Sequence, residues 1–306
     1  MRRDHAPGVN GARGPAGGTV AIVGRGRIGR SLAEALEAHA PGMHVELEGR
    51  EPRRPAPATV VFCVPDDALE AAVRVRAEAF APGRADGAAG RGASGSRQPP
   101  DRVALHTSGV HAASVLSPLR EVGYAVAAWH PLTVVDRPDG AALVGITWGL
   151  EGDAAAVGRA AELGEALRGR TLRLAPDQHA RYHAAAVFAS NFLVACLGVA
   201  ADELRRAASG APAGPDAAPD AEPLLPLARA ALDAVARGGV RRGLTGPVAR
   251  GDTGTVRRHL EVLDGERREL YRALAHELLR LAGPDLAPDR AATLRAALAP
   301  KDEAGA

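Results

Sequence analysis

Lysine is almost missing from this chain. Of its 38 lysine and arginine residues only Lys301 is a lysine, and it lies in the last six positions. A phosphate-binding P-loop, a Schiff-base enzyme and a kinase each need a lysine amine. Arginine cannot replace it, because its guanidinium stays protonated and is neither nucleophile nor base. Those chemistries are excluded unless the tail folds back. Cysteine is also scarce. Cys63 and Cys196 lie far apart in apolar segments, which excludes a disulfide scaffold and a cysteine-rich zinc module and fits a reducing compartment. Aromatic residues make up 3% and the formal net charge is +2. Neither base stacking nor a basic surface for nucleic acid or an anionic membrane is on offer.

What is present is ample core. The chain has 306 residues, 46% of them hydrophobic, which suits two soluble domains. Residues 1–17 are mostly Gly, Pro, Arg and Ala without the apolar centre of a signal peptide, and read as a disordered tail and a cytoplasmic location. From Thr19 the chain alternates strand-like and helix-like segments. Strands are expected at 19–23, 44–47, 59–64, 103–105, 124–128 and 143–148, and a helix at 154–168. That alternation predicts an α/β fold with a doubly wound parallel sheet. Residues 81–101 and 209–223 are low-complexity and read as flexible loops. Past Pro176 the pattern becomes helical: a long helix capped by Asp177 and running to about Arg206, then segments at 224–237, 253–263, 265–282 and 289–298. The expected domains are therefore 18–175 and 176–299, with a tail at 300–306. Ala184–Ala201 carries no charge over 18 residues, long enough for a membrane span. Its alanine content and central Ser190 and Asn191 favour a buried helix instead.

Gly24-Arg25-Gly26-Arg27-Ile28-Gly29 follows the first strand and opens a helix, the context that gives a GxGxxG motif meaning. Gly24 would permit the turn, Gly26 the approach of a pyrophosphate, and Gly29 close packing of helix on sheet. The helix N-terminus would supply N–H donors to the phosphates. The alternative is a Gly-rich turn that binds nothing. After the second strand stand Glu48, Arg50, Arg53 and Arg54. A carboxylate there suits a ribose 2′-hydroxyl and arginine a 2′-phosphate, so Arg50 favours NADP over NAD while Glu48 argues the other way. The short stretch between the second strand and Thr59 leaves no room for a helix plus a further strand, so the adenine half should be abbreviated.

These features occur with Val61-Phe62-Cys63-Val64-Pro65-Asp66-Asp67, His106-Thr107-Ser108-Gly109, His130-Pro131-Leu132, Tyr182-His183-Ala184-Ala185-Ala186 with Ser190-Asn191, and Leu244-Thr245-Gly246-Pro247-Val248-Ala249-Arg250-Gly251-Asp252. In that order they resemble the Rossmann-like and DUF2520 domain-containing proteins, relatives of pyrroline-5-carboxylate reductase, ketopantoate reductase and the 6-phosphogluconate and 3-hydroxyisobutyrate dehydrogenases. The resemblance implies a Rossmann-like domain followed by an all-α domain of the 6-phosphogluconate dehydrogenase C-terminal type. It also implies an NAD(P)H-dependent oxidoreductase acting on a small carboxylated ketone or imine, and a homodimer formed through the helical domain. It names a reaction class more firmly than a substrate. A dinucleotide-binding sensor without turnover is the rival.

Candidate site residues follow from the motifs and the resemblance together. Val64, Pro65, His106, Thr107 and Ser108 end strands where a cofactor would lie, although Ser108 can equally cap a turn around a core histidine. In the relatives a lysine and, four residues later, an asparagine assist hydride transfer. Asn191 matches the asparagine, whereas Val187 stands where the lysine would be. His183 is the candidate proton donor, with His130 and His106 behind it. His179 and His183 have a zinc-compatible spacing but lack an evident third ligand, so no metal is expected. Thr245, Gly246, Pro247 and Arg250 form a loop that resembles the relatives' substrate-carboxylate site.

Overall fold

The computed structural model describes residues 18–52, 55–81, 102–209 and 220–300. The expected N-terminal tail, most of both low-complexity loops, Arg53, Arg54 and residues 301–306 lie outside them. The described residues fall into two compact units, one ending at Asn191 and the other starting at Phe192.

The first unit is built on a seven-stranded sheet of order β2-β1-β3-β4-β5-β6-β7. Its strands are β1 Thr19–Val23, β2 His44–Glu48, β3 Thr59–Phe62, β4 Arg102–His106, β5 Tyr124–Pro131, β6 Thr147–Gly152 and β7 Arg170–Arg173. Val20, Ile22, Val61 and Leu105 face one core with helices α1 (Arg27–His39) and α4 (Ala154–Ala166). Ala21, Val60, Phe62 and Ala104 face the other with α2 (Asp66–Phe80) and α3 (Ser117–Glu121). Strands covered on both faces are the reason for their continuous apolar runs. β2 is an edge strand and the chain passes from it to β3 without a helix, so the first half of the nucleotide-binding fold is shortened as expected.

The far end of the sheet departs from the expected parallel pattern. β6 runs antiparallel to β5, with Pro131 opposite Trp148, and spans 147–152 rather than 143–148. Only a short 3₁₀ turn, Gly140–Leu143, lies in the connection, so nothing carries the chain to the opposite end of the sheet as a parallel strand requires. That connection is strapped onto α1, where Ser31 Oγ accepts from the Asp139 amide at 2.8 Å and Glu34 from that of Gly140 at 2.9 Å. Stacked Trp129 and Trp148, their ring centroids 4.2 Å apart, weld β6 to β5. α4 then returns the chain, and β7 pairs parallel to β6. The exposed sequence Arg-Thr-Leu-Arg of β7 has no apolar run to reveal it as a strand.

Asp177 does not cap the next helix. It has positive φ, and Gln178 holds the cap position of α5, His179–Ala189. The long helix expected to reach Arg206 is broken at Ser190, whose φ of −125° and ψ of −74° leave the helical region. α6, Asn191–Ser209, resumes after the break. Among the described residues, His179–Ala208 is one segment long and apolar enough to cross a bilayer by length and composition, and it is not the buried helix expected of 184–201, since only 6% of its most apolar stretch is buried. The unit boundary at Asn191 lies later than the expected 175/176, because α5 lays Tyr182 directly over Gly149 of β6.

The second unit is helical. It continues from α6 through α7 (Leu225–Gly243, interrupted at Gly239), α8 (Pro247–Arg250), α9 (Thr253–Val262), α10 (Gly265–Ala282) and α11 (Pro288–Leu298). Val248, Val256, Leu260, Leu279 and Leu294 form its core. Asp202 of α6 ties in Arg267 of α10 at 2.6 Å.

Candidate active site

The glycine turn has a different physical reason at each position. Gly24 has φ +118°, and a Cβ there would lie 2.4 Å from the Cys63 carbonyl oxygen. A Cβ on Gly29 would lie 1.9 Å from the Gly24 carbonyl oxygen. These two glycines let β1, the end of β3 and α1 touch backbone to backbone. Gly26 differs: nothing lies within 4 Å of the position its Cβ would take. The helix beyond it has no side-chain cap, so no capping side chain takes up its first-turn N–H groups. That is the cradle a phosphate needs, and the residues present fit a dinucleotide. Ile28 turns inward to the core, while Arg27 is exposed and reaches the Asp136 carbonyl at 3.4 Å. Cys63 beside the turn is no nucleophile, since burial pushes its thiol up to about 12.

A cavity of about 650 Å³ opens beside this turn. It is lined by Gly24, Arg25 and Arg50, by Val64 and Pro65, and by Ala68, Ala72, Val75 and Arg76 of α2. Arg25 and Arg50 also line an adjoining polar hollow with Glu48, Gly49 and Glu51. Glu48 borders that hollow, but its carboxylate is drawn inward. Its side chain is only 3% exposed and pairs with buried Arg76 of α2, Nη2 to Oε2 at 3.3 Å. The same Nη2 donates to the Gly49 carbonyl at 2.8 Å.

A second cluster gathers at the carboxyl ends of β4 and β5. His130 Nδ1 lies 2.9 Å from the Tyr182 hydroxyl. Burial raises the Tyr182 phenol to about 12 and, with the neighbouring His183, lowers His130 to about 4. At neutral pH both are uncharged. With the Gly149 backbone on the phenolic oxygen, the simplest assignment has the phenol donate to Nδ1 and leaves the hydrogen of His130 on Nε2. A Cβ on Gly109 would come 2.7 Å from His130 Nε2 and 2.8 Å from His183 Cδ2, so the bare glycine lets the two rings sit together. The rings of His130 and His183 are 6.2 Å apart, edge to face. A cavity of about 360 Å³ adjoins His130 and Tyr182, which line it with Leu132, Thr133, Ala186 and Ser190; His183 stands next to His130 and is not part of the lining.

Several expected residues lie elsewhere. His106 is fully buried with Nε2 on the Ala112 carbonyl at 3.2 Å, and burial lowers its pKa to about 3. It is a core histidine that cannot reach a ligand as placed. Thr107 donates to the Phe62 carbonyl at 3.2 Å, and Ser108 Oγ accepts from the Val110 and His111 amides, holding the loop before Gly109. His179 is buried, its Nδ1 4.0 Å from Glu151. Asn191 is not inside an apolar helix. It sits exposed after the break, accepting from Ser190 Oγ at 3.0 Å, so His183 and Asn191 do not share one continuous helix. Among the described residues no group of three or more His, Cys, Asp or Glu is arranged for a metal ion. Tyr182, beside His183, and Arg76 join the site although neither is among the residues expected there from sequence. Ala68, Ala72 and Arg76, four residues apart on α2, were the available signal for a helical stripe facing one place.

In the second unit, Gly246 has φ +96° and Pro247 starts the single turn of α8. Asp252 caps α9 by accepting from the Thr255 amide at 3.0 Å, as its position predicts. Arg250 is exposed, and its carbonyl accepts from Arg290 at 3.2 Å. Thr245 and Pro247 line a cavity of about 300 Å³ with His259 and Tyr271.

Comparison with known proteins agrees with this architecture. Residues 146–278 match the family described as Domain of unknown function (DUF2520). Among solved structures, protein TM1727 from Thermotoga maritima superposes with a TM-score of 0.62 at 23% identity, covering 87% of this chain and 99% of that one. The Bacteroides fragilis protein BF3122, provisionally named an NADP oxidoreductase, gives 0.60 at 17% identity over 87% and 98%. Pyrroline carboxylate reductase from Plasmodium falciparum, solved with NADP bound, gives 0.50 at 8% identity over 92% and 100%. At these identities the likeness is one of fold. Among curated proteins none matches the chain by sequence.

The buried histidines carry a pH prediction. Folded, His106 stays neutral to about pH 3 and His130 to about pH 4, whereas unfolded histidines protonate near about 6.5. The unfolded chain therefore binds more protons in between. Their stabilisation is complete above about pH 6.5 and is lost as pH falls, by up to about 1.4 kcal/mol per pH unit for each histidine. Urea unfolding between pH 7 and 4.5 should show this slope, and His106→Gln should flatten it by about one proton. An unchanged slope in that variant would remove His106 from the account.

Proposed function

This chain carries a DUF2520 domain over residues 146–278 together with a Rossmann-like sheet, and on that premise we propose that it is a cytoplasmic NADP(H)-dependent oxidoreductase. Its substrate is a small carboxylated ketone or imine, 2-dehydropantoate-like or pyrroline-carboxylate-like. The observation that carries the reading is the open Gly26 at an uncapped helix N-terminus beside a cavity flanked by Arg25 and Arg50. Backbone N–H groups of the Gly24–Gly29 turn hold the pyrophosphate. The Ala68, Ala72 and Val75 face and the Arg50 guanidinium enclose the adenine, and Arg50 with Arg25 takes the 2′-phosphate. Val64 and Pro65 border the ribose.

A bound nicotinamide supplies the hydride. The chain's own part is to hold the acceptor and provide a proton. His183 is the proton donor, and His130, fixed by Tyr182, presents its Nε2–H beside it. Asn191 positions the acceptor group. Thr245, Gly246, Pro247 and Arg250 hold the substrate carboxylate, with the guanidinium as the charged partner. Exposed Phe192, Val194, Leu227, Leu232 and Val240 in the helical unit support a homodimer.

Fluorescence titration should give tight NADPH binding and NADH binding weaker by about tenfold or more, with Arg50→Ala erasing most of that difference. No binding of either would sink the reductase reading. With NADPH and a panel of oxo and imino acids, His183→Asn should lower kcat by about 100-fold while sparing NADPH affinity. Arg250→Ala should raise KM by about tenfold or more. If wild-type protein binds NADPH yet consumes none, it is a sensor. Light scattering should give twice the 31.4 kDa chain mass, and a single-chain mass would contradict the dimer.

A further inference from the structure

In Rossmann sheets the residue after the second strand reads the adenosine ribose. A carboxylate there accepts from a 2′-hydroxyl and repels a 2′-phosphate. Glu48 ends β2 at that place, so by sequence it opposes the arginines that follow it. Its side chain instead lies under the sheet edge, 3% exposed, against a guanidinium that is 1% exposed. The Arg76 guanidinium also sits over the Phe62 ring, 5.7 Å from its centroid, and grips the Gly49 carbonyl at 2.8 Å. A carboxylate buried this deeply needs a paired cation. Ala68, Ala72 and Arg76 share one stripe of α2, so the wall of the adenine cavity and the cation that draws Glu48 away are one structural piece.

We infer that Arg76 is a specificity-determining positioning residue. It sequesters and neutralises Glu48, removing the group that would exclude a 2′-phosphate, and through the Gly49 carbonyl it sets the turn that presents Arg50. The inference rests on the dinucleotide reading and adds to it how the cofactor choice is made. Arginine suits the task because one Nη2 reaches both acceptors and the delocalised charge tolerates an apolar bed.

The test is NADPH and NADH fluorescence titration of the full chain as wild type, E48Q, R76M and the double variant. E48Q should leave both affinities within about twofold, because Glu48 does not face the ribose. R76M should shift preference toward NADH by about tenfold or more, as an unpaired Glu48 carboxylate now confronts the 2′-phosphate. Adding E48Q to R76M should return the ratio to within about threefold of wild type, a rescue that a merely structural arginine would not show. Loss of NADH binding in E48Q, or a double variant that keeps the altered ratio, overturns the inference. If circular dichroism shows R76M unfolded, R76Q takes its place, since its amide can still donate to both acceptors but carries no charge. A shift toward NADH that adding E48Q reverses then supports the inference, and an unchanged ratio in folded R76Q overturns it. Wild-type protein that binds neither cofactor refutes the dinucleotide reading itself. Wild-type binding with no change in any variant refutes only the role of Arg76.

Discussion

The first unit depends on one close backbone approach. Gly24 leaves room for the Cys63 carbonyl and Gly29 for the carbonyl of Gly24 itself. Side chains at either place would push α1 away from β1 and β3, and with it the helix N-terminus that makes the anion cradle. Everything nearby is arranged around that contact. β2 ends beside it, α2 starts from Pro65 just after it, and the connection after β5 is tied to α1 through Ser31 and Glu34. The third glycine of the turn, Gly26, plays no part in packing, which is what separates a binding turn from a merely tight one.

Charge is managed in the same region with arginine alone. Exposed Arg25 and Arg50 face the cavities, while Arg76 is spent inside on Glu48. Two guanidinium environments bordering one cavity thus serve opposite ends, one exposed and one almost wholly buried. The histidines divide similarly. His106 is committed to the Ala112 carbonyl, whereas His130 and His183 meet across Gly109 next to a cavity.

Much of this was legible in the sequence where local signals are strong. The strand, glycine turn and helix at 19–39, the shortened adenine half and helix 265–282 follow from apolar runs, glycine spacing and loop length. The failures have physical causes. β7 has no apolar pattern because its residues are exposed, and β6 turned back because its connection lacks a crossover helix. The break at Ser190 lies in an uncharged stretch where only the polar pair Ser190-Asn191, and no adjacent proline or glycine, marks it. His106 looked like a ligand group by its place at a strand end, but burial is decided by what packs over it. Glu48 was read as facing the ribose because sequence shows a residue's position on a strand and not which long-range partner claims it.

The central claim is that the space beside Gly26 exists for a phosphate. Isothermal titration of NADPH into wild type and Gly26→Ala, with thermal melts of both, tests it most directly. An alanine meets nothing within 4 Å there and φ is −75°, so the variant should melt as wild type does. NADPH affinity should nevertheless fall by about tenfold or more, because the methyl group takes the place of the phosphate. Wild-type affinity in a well-folded Gly26→Ala chain would contradict the account.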